Sequence, residues 1–292
     1  MIIIAENINI MSAAIGSAMR ERKADPIREM ASSADRARVD YLDLNIGPAQ
    51  KTGADLMPWL VNIVREVTTK PLSLDTTNPE AIEAGLKLAG QGTLINSISL
   101  QPERLEKILP LALKYNAPMI GLLWGVDGMP RDVSERCLLA VDLVYKANEA
   151  GIKSEDIWID PIATPVSGDI NQVRASFEFL QMLPEVCPGC KSIVGLSNVS
   201  NGTPAKLRPY LNRTYLVMLM CFGLFAAIAD ALDEELLAIA RGERPGLVDI
   251  IHRTMDGEHI ELSTLSDEEI KYVKTVRILS GTSLYSHAWL EA

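Results

Sequence analysis

Short apolar runs rich in Ile, Leu and Val recur along the chain, with longer amphipathic stretches between them. The runs Ile2–Ala5, Tyr41–Asn45, Leu72–Asp75, Thr93–Ser97, Met119–Leu123, Ile157–Asp160, Ser192–Leu196 and Phe225–Ala229 have the length and composition of strands. Their starts fall about 32 residues apart, the length of one strand–helix unit. The intervening stretches carry helical punctuation. Asn78-Pro79-Glu80 supplies an N-cap, a proline at the first helical position and an acidic first turn, and the apolar period that follows stops at Gly90. Asp132–Ala150 reads as a longer amphipathic helix closed by Gly151, and Ser266–Glu269 as a capping box that opens a helix near the C-terminus.

Strands that are apolar almost throughout belong to a sheet covered on both faces. Eight such units with helical crossovers predict an α/β fold, a (β/α)8 TIM barrel. A doubly wound open sheet is the alternative, but it would show a Gly-rich phosphate turn after its first strand. Glu6-Asn7-Ile8-Asn9 stands there instead, without glycine. Residues 1–243 supply the barrel; residues 244–292 exceed its needs and predict an appended helical segment packed on it.

The charge balance, 28 Lys+Arg against 38 Asp+Glu for a net −10, excludes the clustered cations that a nucleic-acid or anionic-membrane surface needs. The N-terminal apolar patch lacks a positive leader and is broken by Glu6, so it is not read as a signal peptide. Thr214–Ala229 is the longest uncharged stretch at 16 residues, with Gly223 inside it. A membrane span needs about 20, so a buried helix running into a buried strand is expected. These features predict a cytoplasmic protein without a membrane or nucleic-acid partner. Cys187-Pro-Gly-Cys190 is a lone CxxC, and His252, His259 and His287 lie far from it, so a loop before a strand is expected there and no metal.

A barrel carries its chemistry at the C-terminal ends of its strands. Here those ends read Glu6, Asn7 and Asn9; Asp43 and Asn45; Asp75 and Thr76; Asn96 and Ser97; Trp124; Asp160; Ser197 and Asn198; and Asp230. Helix capping accounts for Thr76, Ser97 and Asp230. It accounts poorly for carboxylates inside an apolar strand, as in Leu-Ser-Leu-Asp75 and Ile-Trp-Ile-Asp160. The set lacks His, Cys and Lys, which disfavours triad, Schiff-base and zinc or iron chemistry. Amides and carboxylates suit a flat nitrogenous ring, whose N–H groups and ring nitrogens they meet with complementary hydrogen bonds.

Seven motifs in order, Glu6-Asn-Ile-Asn9, Leu42-Asp-Leu-Asn-Ile-Gly-Pro48, Leu74-Asp-Thr-Thr-Asn78, Ile95-Asn-Ser97, Ile159-Asp-Pro161, Gly195-Leu-Ser-Asn-Val-Ser200 and Asn212-Arg-Thr214, resemble the methyltetrahydrofolate:corrinoid protein methyltransferases. These are pterin-binding barrels related to dihydropteroate synthase. The resemblance implies tetrahydrofolate or 5-methyltetrahydrofolate as substrate, a cobalt corrinoid carried by a partner protein, and a homodimer. It implies that Asp75, Asn96 and Asp160 hold the pterin ring and that Asn198 contacts N5. Arg208 would lie near the folate, Gly195 and Ser197 would line the site, and Ile228 would pack on the ring. Glu6, Asp43 and Asn45 complete the expected substrate-binding set, with Asn198 and Asp160 as the catalytic pair. A dihydropteroate synthase-like enzyme and a non-catalytic folate-binding protein are the alternatives. The Asp-Ile-Gly-Gly-Glu-Ser-type loop of the former is replaced by Asp43-Leu-Asn-Ile-Gly-Pro48. There is no Asp-x-His-x-x-Gly cobalt-ligand motif, so the corrinoid should arrive on another protein. The length beyond residue 243 tilts the reading toward a demethylase system that delivers methyl to tetrahydrofolate.

Overall fold

Apolar side chains on both faces of eight strands leave one economical solution, a closed sheet inside a sleeve of helices. The computed structural model, which describes residues 1–291, has this form. The strands are β1 (Ile2–Asn9), β2 (Tyr41–Asn45), β3 (Leu72–Asp75), β4 (Leu94–Ile98), β5 (Met119–Leu122), β6 (Ile157–Asp160), β7 (Lys191–Gly195) and β8 (Ala226–Ala229). All pair in parallel with their sequence neighbours, and β1 closes on β8. The helices are α1 (Ala13–Glu21), α2 (Ala24–Arg36), α3 (Gly53–Arg65), α4 (Pro79–Ala89), α5 (Pro102–Tyr115), α6 (Val133–Glu149), α7 (Ile170–Val186), α8 (Arg208–Cys221), α9 (Glu234–Ala240), α10 (Pro245–Met255) and α11 (Asp267–Leu279). The expected caps are present. Asn78 accepts from the Glu80 and Ala81 amides, Asp132 accepts from Glu135 N, and Ser266 and Glu269 form the reciprocal capping box. Thr214–Ala229 divides between buried α8 and β8, and Cys187 and Cys190 occupy the turn before β7. Among the described residues no helix is long and apolar enough to cross a membrane.

The two-residue period of the strands sorts their side chains into two cores. Leu42 and Leu44, Leu72 and Leu74, Ile157 and Ile159 face outward into the large cluster formed with the helices. Ile4, Leu94, Ile120, Trp158, Ile193 and Ala226 face inward and form a separate cluster that fills the barrel. The interior ends below in aromatics: Trp158 meets Tyr41 and Phe225 edge-on at centroid distances of 5.8 and 5.2 Å. Lys191 Nζ stands over the Trp158 and Phe225 rings, at 5.4 and 5.2 Å. This end is closed by apolar packing, and the opposite end carries the polar residues.

Beyond the eight units, α10 and α11 pack on α8, and Ile251, Tyr272, Val276 and Leu279 join the same core as the barrel helices. One charge lies wholly inside the shell. Arg136 of α6 is fully buried, and donates from Nε to the Pro161 carbonyl at 3.0 Å and from Nη2 to Gln172 Oε1 at 2.8 Å. It therefore fastens α6 and α7 to the chain just past β6. Arg136→Leu leaves two buried acceptors unpaired and should lower the unfolding free energy by about 1–3 kcal/mol. Urea denaturation checks this; an unchanged midpoint would mean that the guanidinium holds nothing together.

Candidate active site

The strand period that fills the barrel with Ile and Leu brings a polar layer to its C-terminal mouth. Register sets Asn45 beside Asp75, Asp75 beside Asn96, Leu122 beside Asp160, and Gly195 beside Ile228 around the ring. Asp43 lies one step deeper on β2 and is 2% exposed. Glu6, one residue past the Ala5–Ala229 pairing, completes the circle from β1. Ser197 and Asn198 follow β7 in a short 3-10 turn, Leu196–Ser200. Arg208 opens α8 and donates from Nε to Ser200 Oγ at 3.1 Å.

Amides and acids alternate and pair. Asn45 donates its Nδ2 to Asp75, and Asn96 donates its Nδ2 to Asp43 Oδ1 at 3.1 Å. Ser197 Oγ donates to Glu6 Oε1 at 2.5 Å. Asp160 is turned back on its own loop, where Oδ1 accepts from the Ile162 amide at 2.8 Å. Asn198 is exposed, its Oδ1 accepting from Asn201 Nδ2 at 3.3 Å. A Cβ added to Gly195 would stand 3.1 Å from Asn198 Nδ2, so the missing side chain is what admits the amide there. Ile228, half-buried, packs on the inner cluster and forms part of the floor. All eleven residues expected from the sequence thus gather at one mouth, ten of them on the rim or wall and Ile228 beneath.

Burial pushes the acids up. Asp43 and Asp160 rise to about 6, chiefly through desolvation, with the Asn96 hydrogen bond opposing the shift at Asp43 and the Ile162 amide opposing it at Asp160. Asp75 rises well above the ordinary range through burial and the charge of Asp43, against the hydrogen bond from Asn45. Glu6 rises to about 7, from burial first and from Asp230, while the Ser197 hydrogen bond and Arg208 pull it down. Carboxyls poised near neutrality can donate as well as accept, which widens what a ring can offer them.

Several contributors escaped the sequence reading. Arg104 of α5 donates to the Thr77 carbonyl at 2.7 Å and to the Ser97 carbonyl, and its charge lies near Asp75. No motif marked it, because it sits in an ordinary amphipathic helix. Ile162 adopts φ 67, the left-handed region, where a β-branched residue is strained by roughly 1–3 kcal/mol. Its amide is the donor to Asp160, so the strain and the carboxylate's orientation are one feature. Asn7 and Asp230, both read from the sequence at strand ends, pair at 2.6 Å and lock β1 to the end of β8, a contact that no local pattern marks. Among the described residues no three His, Cys, Asp or Glu are placed to hold a metal.

The raised Glu6 has a consequence for stability with a definite sign. Its proton is held more tightly in the fold, at about 7, than at the ordinary value of 4.5. The stabilisation this gives is full below about pH 4.5 and is lost as pH rises through 7. Glu6→Gln removes the titration, so the melting temperature of the variant relative to the parent should climb between pH 5 and pH 8. A difference that stays flat across that window would show that Glu6 is not buried as described.

Comparison with known proteins agrees with the geometry. The family model for the pterin binding enzymes matches residues 45–227. A methylcorrinoid:tetrahydrofolate methyltransferase of Eubacterium limosum is 26% identical over 239 residues, 81% of this chain and 88% of that protein. A methionine synthase of Mycobacterium leprae is 26% identical over 237 residues; they make up 77% of this chain but 20% of that larger enzyme. Among solved structures, the dihydropteroate synthase of Xanthomonas albilineans with 4-aminobenzoic acid superposes with TM-score 0.62 at 17% identity, covering 83% of this chain and 92% of that one. That likeness speaks for the fold alone, and it is the same closed eight-stranded barrel. With more than half the chain inside the family model and an acid–amide ring at its mouth, the protein belongs to the pterin binding enzymes.

Proposed function

We propose that this enzyme moves a methyl group between N5 of tetrahydrofolate and the cobalt of a corrinoid carried on a separate protein. The observation that carries the reading is the mouth itself, where the alternating Asn45, Asp75, Asn96 and Asp43 form a hydrogen-bonding wall and the amide of Asn198 stands exposed opposite it. The name of the Eubacterium limosum relative supports the substrates and favours the direction from methylcorrinoid to tetrahydrofolate. Residues 1–243 would carry the chemistry and residues 244–292 support it, in a cytoplasmic homodimer.

The wall is built for a heterocycle rather than a phosphate. Asp75, Asn96 and Asp160 would hold the pterin by its ring N–H, amino and carbonyl groups, over the floor that includes Ile228. When methyl leaves folate, the partner's Co(I) supplies the electron pair of the new Co–C bond, and the C–N pair stays on N5. N5 then needs a proton, or it departs as an amide anion. A contact that strengthens as N5 protonates lowers the barrier; one of constant strength only tightens binding. An amide has no useful pKa, so the role assigned to Asn198 is to orient a water or steady the protonated N5, in support of a proton delivery that typically contributes about 10²–10⁴-fold. In the reverse direction the same contact holds the N5 lone pair toward the methyl group.

Stopped-flow absorbance with a Co(I) corrinoid protein and methyltetrahydrofolate tests the activity directly, since a mere binder forms no methyl-Co(III). Asn198→Ala should reduce turnover far more than folate affinity, and equal losses would remove it from the chemistry. Asp160→Asn and Asn96→Ala should weaken folate binding by about 1–3 kcal/mol, the usual cost of an unpaired polar partner. Titration calorimetry reads that loss; unchanged affinity would take those side chains out of the site.

A further inference from the structure

The chain after α11 returns to the barrel mouth. Its far end is anchored, with Trp289 buried and donating from Nε1 to Thr275 Oγ1 at 3.0 Å, while Lys274 Nζ donates to the Leu290 carbonyl at 3.0 Å. Its near end is pressed onto α7, since a Cβ on Gly281 would lie 3.3 Å from Ile170 Cγ1. Between these anchors, Ser283–Tyr285 shares a cavity of about 230 Å³ with Val166, Ser167 and Gly168, which belong to the loop that follows Asp160.

One polar link crosses from this tail to the site. Tyr285 OH and Thr203 Oγ1 are 2.6 Å apart, and Thr203 is 8% exposed. From Thr203 the links run on without a gap. Thr203 N donates to the Ser200 carbonyl at 3.0 Å, Ser200 Oγ donates to the Ser197 carbonyl at 3.1 Å, and Ser197 Oγ reaches Glu6. Asn198 lies inside this chain. The loop after Asp160 is stitched to the same turn, Val166 N donating to the Val199 carbonyl at 2.9 Å. The tail therefore touches both loops assigned to catalysis, and does so from outside the barrel.

We infer that residues 281–291 are a positioning element, and that Tyr285, acting through Thr203, holds the Ser197–Thr203 turn so that Asn198 faces the bound ring at the angle methyl transfer needs. This rests on the role proposed for Asn198. Tyr285 touches no substrate. Its hydroxyl restrains a turn whose functional side chain is otherwise held by one 3.3 Å contact to Asn201. Small misplacements of a positioned group weigh heavily on rate and lightly on affinity.

The test is a double-mutant cycle in the full-length protein, with Tyr285→Phe, Thr203→Val and both together, and Thr203→Ser as the variant that keeps the hydroxyl. Each of the first two should lower kcat by about 2- to 30-fold, the range seen for couplings of this kind, with folate affinity and melting temperature near those of the parent. The double variant should be no slower than the slower single one, and Thr203→Ser should keep parental turnover. Full kcat in Tyr285→Phe, or losses that multiply, would overturn the inference. So would a loss of kcat matched by an equal loss of folate affinity, the mark of a structural role. Amide hydrogen exchange without any substrate supplies a readout independent of the reaction. Protection at Val199–Thr203 should fall in Tyr285→Phe, and unchanged protection would sink the tether even if no corrinoid substrate is turned over. A parent enzyme that forms no methyl-Co(III) would instead defeat the proposed function and leave the tether to be judged by exchange.

Discussion

Everything at the mouth depends on how four carboxyl groups are kept inside a narrow ring. An isolated buried carboxylate is costly, and two side by side repel as well. The strands solve this by register. Asn45 and Asp75 are direct neighbours, as are Asp75 and Asn96, and the hydrogen bonds run crosswise, Asn45 to Asp75 and Asn96 to Asp43, while Glu6 accepts from Ser197 and Asp160 from the Ile162 backbone N–H. Compensation is partial, and the acids remain raised toward neutrality. A ring of acids and amides offers acceptors to the N–H and amino groups of a heterocycle and repels anions, so it suits poorly a pyrophosphate.

The barrel was legible because its signal is redundant. Eight apolar runs at a near-constant spacing, each followed by a capped amphipathic stretch, leave few topologies, and the strand bounds agree with the structure to within a residue or two at most ends. The largest departure is β1, which runs on to Asn9 through Glu6 and Asn7. Polar residues conceal a strand whose last turns face a mouth rather than a core. The placement of Asp75 and Asp160 was legible for a related reason: an ionisable group closing an apolar strand has few innocent explanations.

What stayed hidden are the residues whose role depends on distant partners. Arg136 reads as one more charge on an amphipathic helix, yet it is the largest fully buried side chain, held by Pro161 and Gln172. Arg104 is hidden in the same way. Ile162 carries no glycine-like signal, and its left-handed backbone accompanies the hydrogen bond from its amide to Asp160. Tyr285 lies 82 residues from Thr203, and no local pattern joins a surface tyrosine to a turn so far back. Periodicity reports which way a side chain faces; it does not report whom it meets.

The two ends of the barrel also divide their labour. Below, Tyr41, Trp158 and Phe225 close the interior with edge-on aromatic packing, and Lys191 stands over the Trp158 and Phe225 rings. Above, the same strands end in groups that would destabilise any closed core. The lower plug can sustain the upper ring because both lie on the same short strands, so rigidity gained below fixes the spacing of the acids and amides above. The 3-10 turn bearing Asn198 lies past the strand ends and inherits less of that rigidity. It is also where links from outside the barrel converge, from Arg208, Val166 and Thr203. Under the proposed function Asn198 meets the reacting nitrogen while the opposite approach stays open to a large partner, so it has to project beyond the sheet, and what the sheet cannot hold the surrounding loops and tail must.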